Sequence, residues 1–131
     1  MSVEHEILKN CKTVAIVGLS PDETRPSCRI GQYLQGQGYK IIPVNPKETQ
    51  ILGCTCYPDL KSVPEKVDVV DIFRRSEDVP PVVDQAIEIG AGAVWMQEGV
   101  KNEKAAEKAR QAGLKVVQDR CIMKEHRALK E

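Results

Sequence analysis

The sequence predicts an α/β fold: one doubly wound, Rossmann-like domain with a parallel sheet of about five strands and helices on both faces. Three observations predict it. Helix-like and strand-like segments alternate along the chain. The strand-like runs are short and apolar on both faces, as strands of a parallel sheet covered on both sides are. And three segments share one grammar of helical stretch, glycine and apolar run: IGQYLQGQGYKIIPV, VVDQAIEIGAGAVWMQ and KAAEKARQAGLKVVQ.

The elements follow in order. Val3–Cys11 has the look of a short helix leading into a first strand, Val14–Val17. The helix beginning after Pro26 is expected to close at Gly38, because a left-handed residue ends a helix cheaply only as glycine, and a second strand follows at Ile41–Val44. Val67–Phe73, VDVVDIF, is the third strand. Pro80-Pro81 fits the first turn of the next helix, whose Val82, Val83, Ala86 and Ile87 make one sheet-facing stripe, and Gly92 is expected to close it. Ala93–Met96 is the fourth strand, and Asn102 is placed to cap a helix starting at Glu103. Gly113 closes that helix, Val116–Val117 is the fifth strand, and KEHRAL belongs to a terminal helix. Phe73 and Trp95 lie in strands and are expected to pack in the core, apart from any role for Phe73 at its strand end.

Bulk composition narrows the function. The 131 residues suffice for one core, so residues 1–131 are expected to form a single domain without a linker. Lys plus Arg equals Asp plus Glu, 19 each, which argues against nucleic acid as a partner; aromatic residues at 4% argue against a stacking platform. No apolar run approaches the ~20 residues a membrane span needs, and the charged N-terminus has no signal-peptide block, so the expected location is cytoplasmic. Five cysteines, an odd number without framework spacing, fit reduced thiols. Cys54 and Cys56 form one C-x-C pair and His5 and His126 are the only histidines, so no metal site is expected.

In an open α/β sheet, ligands sit at the carboxyl ends of the strands, near the point where strand order reverses. The candidates are therefore five loops. In GLSPDETRPS, Gly18 permits a tight turn, Ser20 offers a hydroxyl, and Arg25 and Ser27 stand near a helix start that favours an anion; Asp22 and Glu23 should face solvent. Alternatively, Ser27 only caps the helix and Arg25 is only a surface charge. The single glycine gives up the close approach of a three-glycine dinucleotide loop. After the second strand, NPKE lacks the acid that binds an NAD ribose and instead carries Asn45 and Lys47, which suits a phosphorylated ribose, as in coenzyme A or NADP; alternatively, Asn45-Pro46 is only a turn. Arg74 and Arg75 follow the third strand, and because adjacent residues point apart only one should face the crevice. Gln97, Glu98 and Gly99 follow the fourth strand, and Cys121, beside Arg120, lies just past the fifth, where a cation or helix start would activate its thiol.

Taken together, VAIVGLSPDETRPS, IPVNPK, DVVDIFR, AVWMQEGV and VVQDRC resemble the small stand-alone CoA-binding proteins, which in turn look like the CoA-binding domain of the succinyl-CoA synthetase α subunit. The resemblance runs from about Cys11 to Leu129. It implies that Gly18, Leu19 and Ser20 with Arg25, Pro26 and Ser27 cradle phosphates. It implies that Lys47, with Asn45 and Pro46 beside it, serves the nucleotide end of CoA, and that Phe73 and Arg74 lie against adenosine. Gln97, Glu98 and Gly99 match a Thr-Glu-Gly stretch that contacts CoA, and Cys121 matches the cysteine of an Asn-Cys-Pro-Gly stretch.

The first loop departs from the glycine-rich run of the synthetase. The synthetase's phosphorylated histidine lies in a second domain with no counterpart in these residues, so ligase activity of this chain alone is not expected. The resemblance implies a binding module for coenzyme A or an acyl-CoA with no catalytic residues of its own. The alternatives are a small NADP-dependent oxidoreductase, thiol capping of CoA through Cys121, and a subunit of a larger acyl-CoA enzyme. A protein partner or a homo-oligomer is compatible with each.

Overall fold

The computed structural model describes residues 2–130. Helix α1 (Val3–Asn10) is capped by the Ser2 hydroxyl, which accepts from the His5 N–H, and leads into β1 (Thr13–Val17). There follow α2 (Pro26–Gly36), β2 (Lys40–Val44), a hairpin of β3 (Gln50–Ile51) and β4 (Cys54–Thr55), and β5 (Val69–Ile72). The chain continues through α3 (Val79–Glu88), β6 (Ala93–Met96), α4 (Glu103–Gln111), β7 (Lys115–Val117) and α5 (Ile122–Lys130). Five strands pair in parallel in the order β2-β1-β5-β6-β7. Counted along this sheet the order is 2-1-3-4-5, so it reverses between β1 and β5, and that junction is the switch point of a doubly wound sheet.

Alternation along the strands divides the core into two layers. Ala15, Val17, Val70, Ile72, Val94 and Met96 point toward α3 and α4 and pack on Val83, Ala86 and Ala106. Val14, Ile16, Val69 and Trp95 point the other way and pack on Ile7, Leu34 and Ile122 of α1, α2 and α5. The five-stranded parallel sheet with helices on both faces is thus present as predicted. Asn102 caps α4 through its side chain, which accepts from the Ala105 N–H at 3.0 Å, and Pro80 lies in the first turn of α3.

Several elements differ from the sequence reading. Gly38 and Gly113 do take positive φ at helix ends, but α3 is closed by Gly90 (φ 73°), not by Gly92. Gly92 is glycine for a different reason: a Cβ there would sit 3.0 Å from the Asp68 carbonyl oxygen. The α3 stripe runs through Val79, Val83 and Ala86, while Val82 and Ile87 are only half-buried at its margins. The third strand is shorter than Val67–Phe73, and the β3–β4 hairpin has no counterpart in the sequence reading because two-residue strands carry no periodicity. Pro43 interrupts no ladder. It lies in β2, the edge strand, where its missing N–H would face outward, and its carbonyl accepts from the Tyr57 N–H at 3.0 Å.

Candidate functional site

Gly18 ends β1 at the switch point with φ 89°, and its N–H donates to the Val44 carbonyl at 2.9 Å. A Cβ at this position would run into the carbonyl oxygen of Phe73, so only glycine lets the first and third loops close up. The chain then turns through Leu19, which is fully buried in the core and presents no side chain to a ligand. The Ser27 hydroxyl is buried and accepts from the Ser20 N–H at 3.0 Å; the Ser20 hydroxyl accepts from the Asp22 N–H at 3.0 Å. Asp22 and Glu23 are exposed, and hydrogen bonds from Thr24 hold the Asp22 carboxyl below its ordinary range.

Arg25 is the residue before α2, in extended conformation, and caps it without a side-chain bond. Ser27 is therefore a second-position residue rather than the cap, and it ties the loop to the helix. Pro26 has no N–H to leave unpaired, and the N–H groups of Ser27 and Cys28, like those of any first turn, have no helical acceptor, which favours an anion. Gly18, Ser20, Arg25, Pro26, Ser27 and Phe73 together line an open cavity of 360 Å³.

The second loop is stitched to the first. Asn45 donates through Nδ2 to the Leu19 carbonyl at 3.0 Å, and its Oδ1 accepts from the Lys47 N–H at 2.9 Å. Asn45 is thus a bridge between loops as well as a turn residue. Lys47 is exposed, and its ammonium has no carboxylate partner among the described residues. The two arginines separate as expected. Arg75 is exposed and pairs with Glu77 and Asp78, each at 3.3 Å. Arg74 is half-buried and, with Pro46, lines a cavity of 140 Å³ whose walls mix apolar residues, Val17, Val44, Pro58 and Leu60, with the polar Asp59 and Gln85.

The fourth and fifth loops are bonded to each other. Gln97, read as a ligand contact, is 4% exposed, and its Oε1 accepts from the Ile122 N–H at 3.1 Å, so it serves the start of α5. Glu98 takes both carboxylate oxygens to Lys124 at 3.1 Å. Gly99 has φ 85°, and its N–H donates to Asp119 Oδ1 at 2.7 Å. Asp119 itself holds a left-handed backbone, φ 56°, the kind of strain that persists where the surroundings over-determine it. Cys121 is buried and lines a third cavity, of 450 Å³, together with Pro26, Arg29, Tyr33 and Glu98. Burial pushes the Cys11 thiol up to about 12 and raises Cys28 and Cys56 as well. Cys11 lines a separate hollow of 140 Å³ beside α1, away from the strand carboxyl ends, whereas Cys121 opens onto the cavity at the start of α5.

The three cavities lie along one edge. The Arg74-lined one and the first-loop one are flanked by consecutive residues, Val17 with Gly18 and Arg74 with Phe73, and the first-loop and cysteine-lined ones share Pro26. A hollow of 450 Å³ also lies against the outer edge of β2, lined by Tyr39, Lys40 and Glu65, but it is away from the strand ends and holds no candidate residue. Asp71, in the middle of β5, was not singled out by its sequence. It is fully buried with neither oxygen hydrogen-bonded among the described residues, and burial pushes its carboxyl well above the ordinary range. It pairs in register with Ile16 and Trp95, one strand step below Phe73 on the same face.

A family model described as a CoA binding domain matches residues 12–127. The chain belongs to that family. The uncharacterized protein YneT of Bacillus subtilis is 38% identical over 125 residues, spanning 95% of this chain and 93% of its own length. An ADP-forming acetate–CoA ligase of Archaeoglobus fulgidus is 32% identical over 123 residues, which is 85% of this chain but 18% of the ligase. Among solved structures, a hypothetical protein from Pyrococcus horikoshii OT3 superposes with a TM-score of 0.95 at 40% identity, covering 100% of this chain and 94% of that one. A dinucleotide-forming acetyl-coenzyme A synthetase of Ca. Korarchaeum cryptofilum matches with a TM-score of 0.75 at 28% identity, over 85% of this chain and 26% of the synthetase. The chain therefore spans nearly the whole of some relatives and only a minor part of the much longer ligases. No helix among the described residues is long and apolar enough to cross a membrane.

Proposed function

We propose that this CoA-binding-domain protein binds coenzyme A or an acyl-CoA along the carboxyl edge of its sheet and supplies no reaction of its own. One observation carries the reading: three neighbouring hollows run in the order mixed apolar and polar with Arg74 in the wall, anion-favouring, thiol-lined. Coenzyme A has the same order of parts, adenosine, diphosphate and a neutral arm ending in a thiol. The hollow lined by Arg74, Val17 and Leu60 receives adenine, with Lys47 free to reach the ribose phosphate. The diphosphate takes the N–H groups of Ser27 and Cys28 and the Arg25 guanidinium. The arm passes Pro26 toward Cys121. On this reading Gln97, Asn45 and Leu19 shape the site from behind without touching the ligand.

The test is thermal unfolding with CoA, dephospho-CoA, NADP and NAD in parallel. A ligand at ~100 times its Kd adds about 2.7 kcal/mol to the native state. The expected outcome is a rise in Tm with CoA that is much smaller with dephospho-CoA. A rise with NADP and none with CoA would transfer the site to a reductase, and no rise with any of them would overturn the reading.

A second reading has its own support, because this chain matches 18% of an acetate–CoA ligase at 32% identity. Here the chain is the CoA-holding subunit of a larger acyl-CoA enzyme. Native mass measured after gentle lysis tests it: a complex above the mass of self-association supports the subunit, and the free chain alone does not.

A further inference from the structure

The cysteine-lined cavity carries more charge than a CoA arm can use. Three cations line it: Arg29 from α2, and Lys124 and Arg127 from α5. Only one carboxylate, Glu98, stands among them, and Lys124 already holds both its oxygens at 3.1 Å. Arg29 and Arg127 have no carboxylate partner among the described residues. Arg127 is nonetheless held in place, its guanidinium 5.3 Å from the centre of the Tyr33 ring, and Tyr33 is fixed in turn by a 2.7 Å bond between its hydroxyl and His126 Nδ1. This happens in a chain whose formal charges cancel, 19 against 19. The residues that begin α2 and precede α5, Pro26 and Cys121, also stand in the wall, so two helix starts add to the positive field.

The pantetheine arm of CoA is uncharged and gives these arginines nothing to neutralise. What lies beyond the thiol is the acyl group. We propose that this cavity is an acyl site for a carboxylate-ended acyl chain carried as its CoA thioester, with Arg29 and Arg127 as the forks that receive the carboxylate and Ile30 and Met123 as the apolar wall for its methylenes. The inference rests on the CoA reading above and adds to it the class of acyl group.

The test compares binding of CoA, pentanoyl-CoA and glutaryl-CoA, the two thioesters differing by a terminal methyl against a carboxylate. The wild-type protein is expected to bind glutaryl-CoA about tenfold more tightly than pentanoyl-CoA. In the Arg29→Gln/Arg127→Gln double variant that preference disappears, while affinity for CoA itself stays within about twofold. Both arginines are exposed and only the stacking of Arg127 on Tyr33 is lost, so the variant should unfold cooperatively within a few degrees of the wild-type Tm, which reports that it has folded. Equal binding of the two thioesters by the wild type would overturn the acyl site and leave the CoA reading standing. Loss of CoA affinity in the variant equal to the loss for glutaryl-CoA would also overturn it, because the arginines would then serve CoA's phosphates. Failure of all three ligands to bind would remove the CoA reading and the acyl site together.

Discussion

The two sides of the crevice are built differently. On the side of β6 and β7, polar groups are spent: Gln97 on Ile122, Glu98 on Lys124, Gly99 on Asp119, and Asp119's own N–H on the Val100 carbonyl at 3.1 Å. On the side of β1 and β2, the backbone is tied by Asn45 and Ser27, yet the Lys47 and Arg25 side chains and the first N–H groups of α2 remain available. One side is a wall and the other is a socket. The lesson is that position at a strand end nominates a residue, but only its hydrogen-bond partners decide whether it holds the ligand or holds the loop that holds the ligand.

The largest change should come where the two sides meet. Gly18→Ala imposes both a φ of 89° and a Cβ against the Phe73 carbonyl, and a loss of about 3 kcal/mol or more is expected in urea unfolding. A near-wild-type midpoint would mean that the first and third loops can part without cost.

Next is Asp71, which lies in the strand beneath the junction. Its carboxyl must be protonated to stay buried, so folding retains a proton that the unfolded chain gives up once pH exceeds the ordinary value of 3.8. Below that pH its burial carries only the cost of an unpaired neutral carboxyl, and an ionisation cost is added progressively as pH rises toward its folded value. Asp71→Leu should gain about 2 kcal/mol or more at neutral pH, and the gain should shrink as pH falls to about 4, where only the part due to the unpaired neutral carboxyl is left. A pH-independent difference between variant and wild type would mean the buried group does not titrate as described.

Gln97→Leu should cost about 1–2 kcal/mol by stranding the Ile122 N–H, with CoA affinity of the folded protein unchanged. A tenfold loss of affinity at unchanged Tm would put Gln97 in the socket. The smallest effect on stability, and the one that sharpens the contrast most, belongs to Lys47→Ala. Its Tm should be unchanged, since surface substitutions stay within about 0.5 kcal/mol, while CoA affinity falls roughly five- to tenfold and dephospho-CoA affinity does not.

Much of this architecture is legible in the chain. The apolar runs and the glycines at 38 and 113 carry the sheet and two helix ends, and the pair Arg74-Arg75 can be separated by the alternation of a strand alone. The failures have physical reasons. Gly90 and Gly92 lie two residues apart in EIGAGAV, and spacing cannot tell which takes the left-handed turn and which makes room for Asp68. VDVVDIF contains two acids of the same kind. Asp68 accepts from the Lys12 and Thr13 N–H groups at 2.8 and 3.0 Å, while Asp71 is sealed in without a partner, and that contrast depends on neighbours distant in sequence. The cationic cavity is assembled from two helices far apart in the chain. Its only linear trace is the four-residue spacing of Arg29 with Tyr33 and of Met123 with Arg127, which puts each pair on one helical face.

The proline in β2 has a consequence for how the molecule meets its own copies. A parallel sheet ends in two margins, and new strands can be templated only on margins that offer a run of free amide and carbonyl groups. Here one margin carries Pro43, already engaged with Tyr57, and the other is β7, three residues long. Neither margin gives a growing fibril purchase. Crowding the protein to high concentration should therefore leave it in solution, with any self-association confined to helix faces and loops.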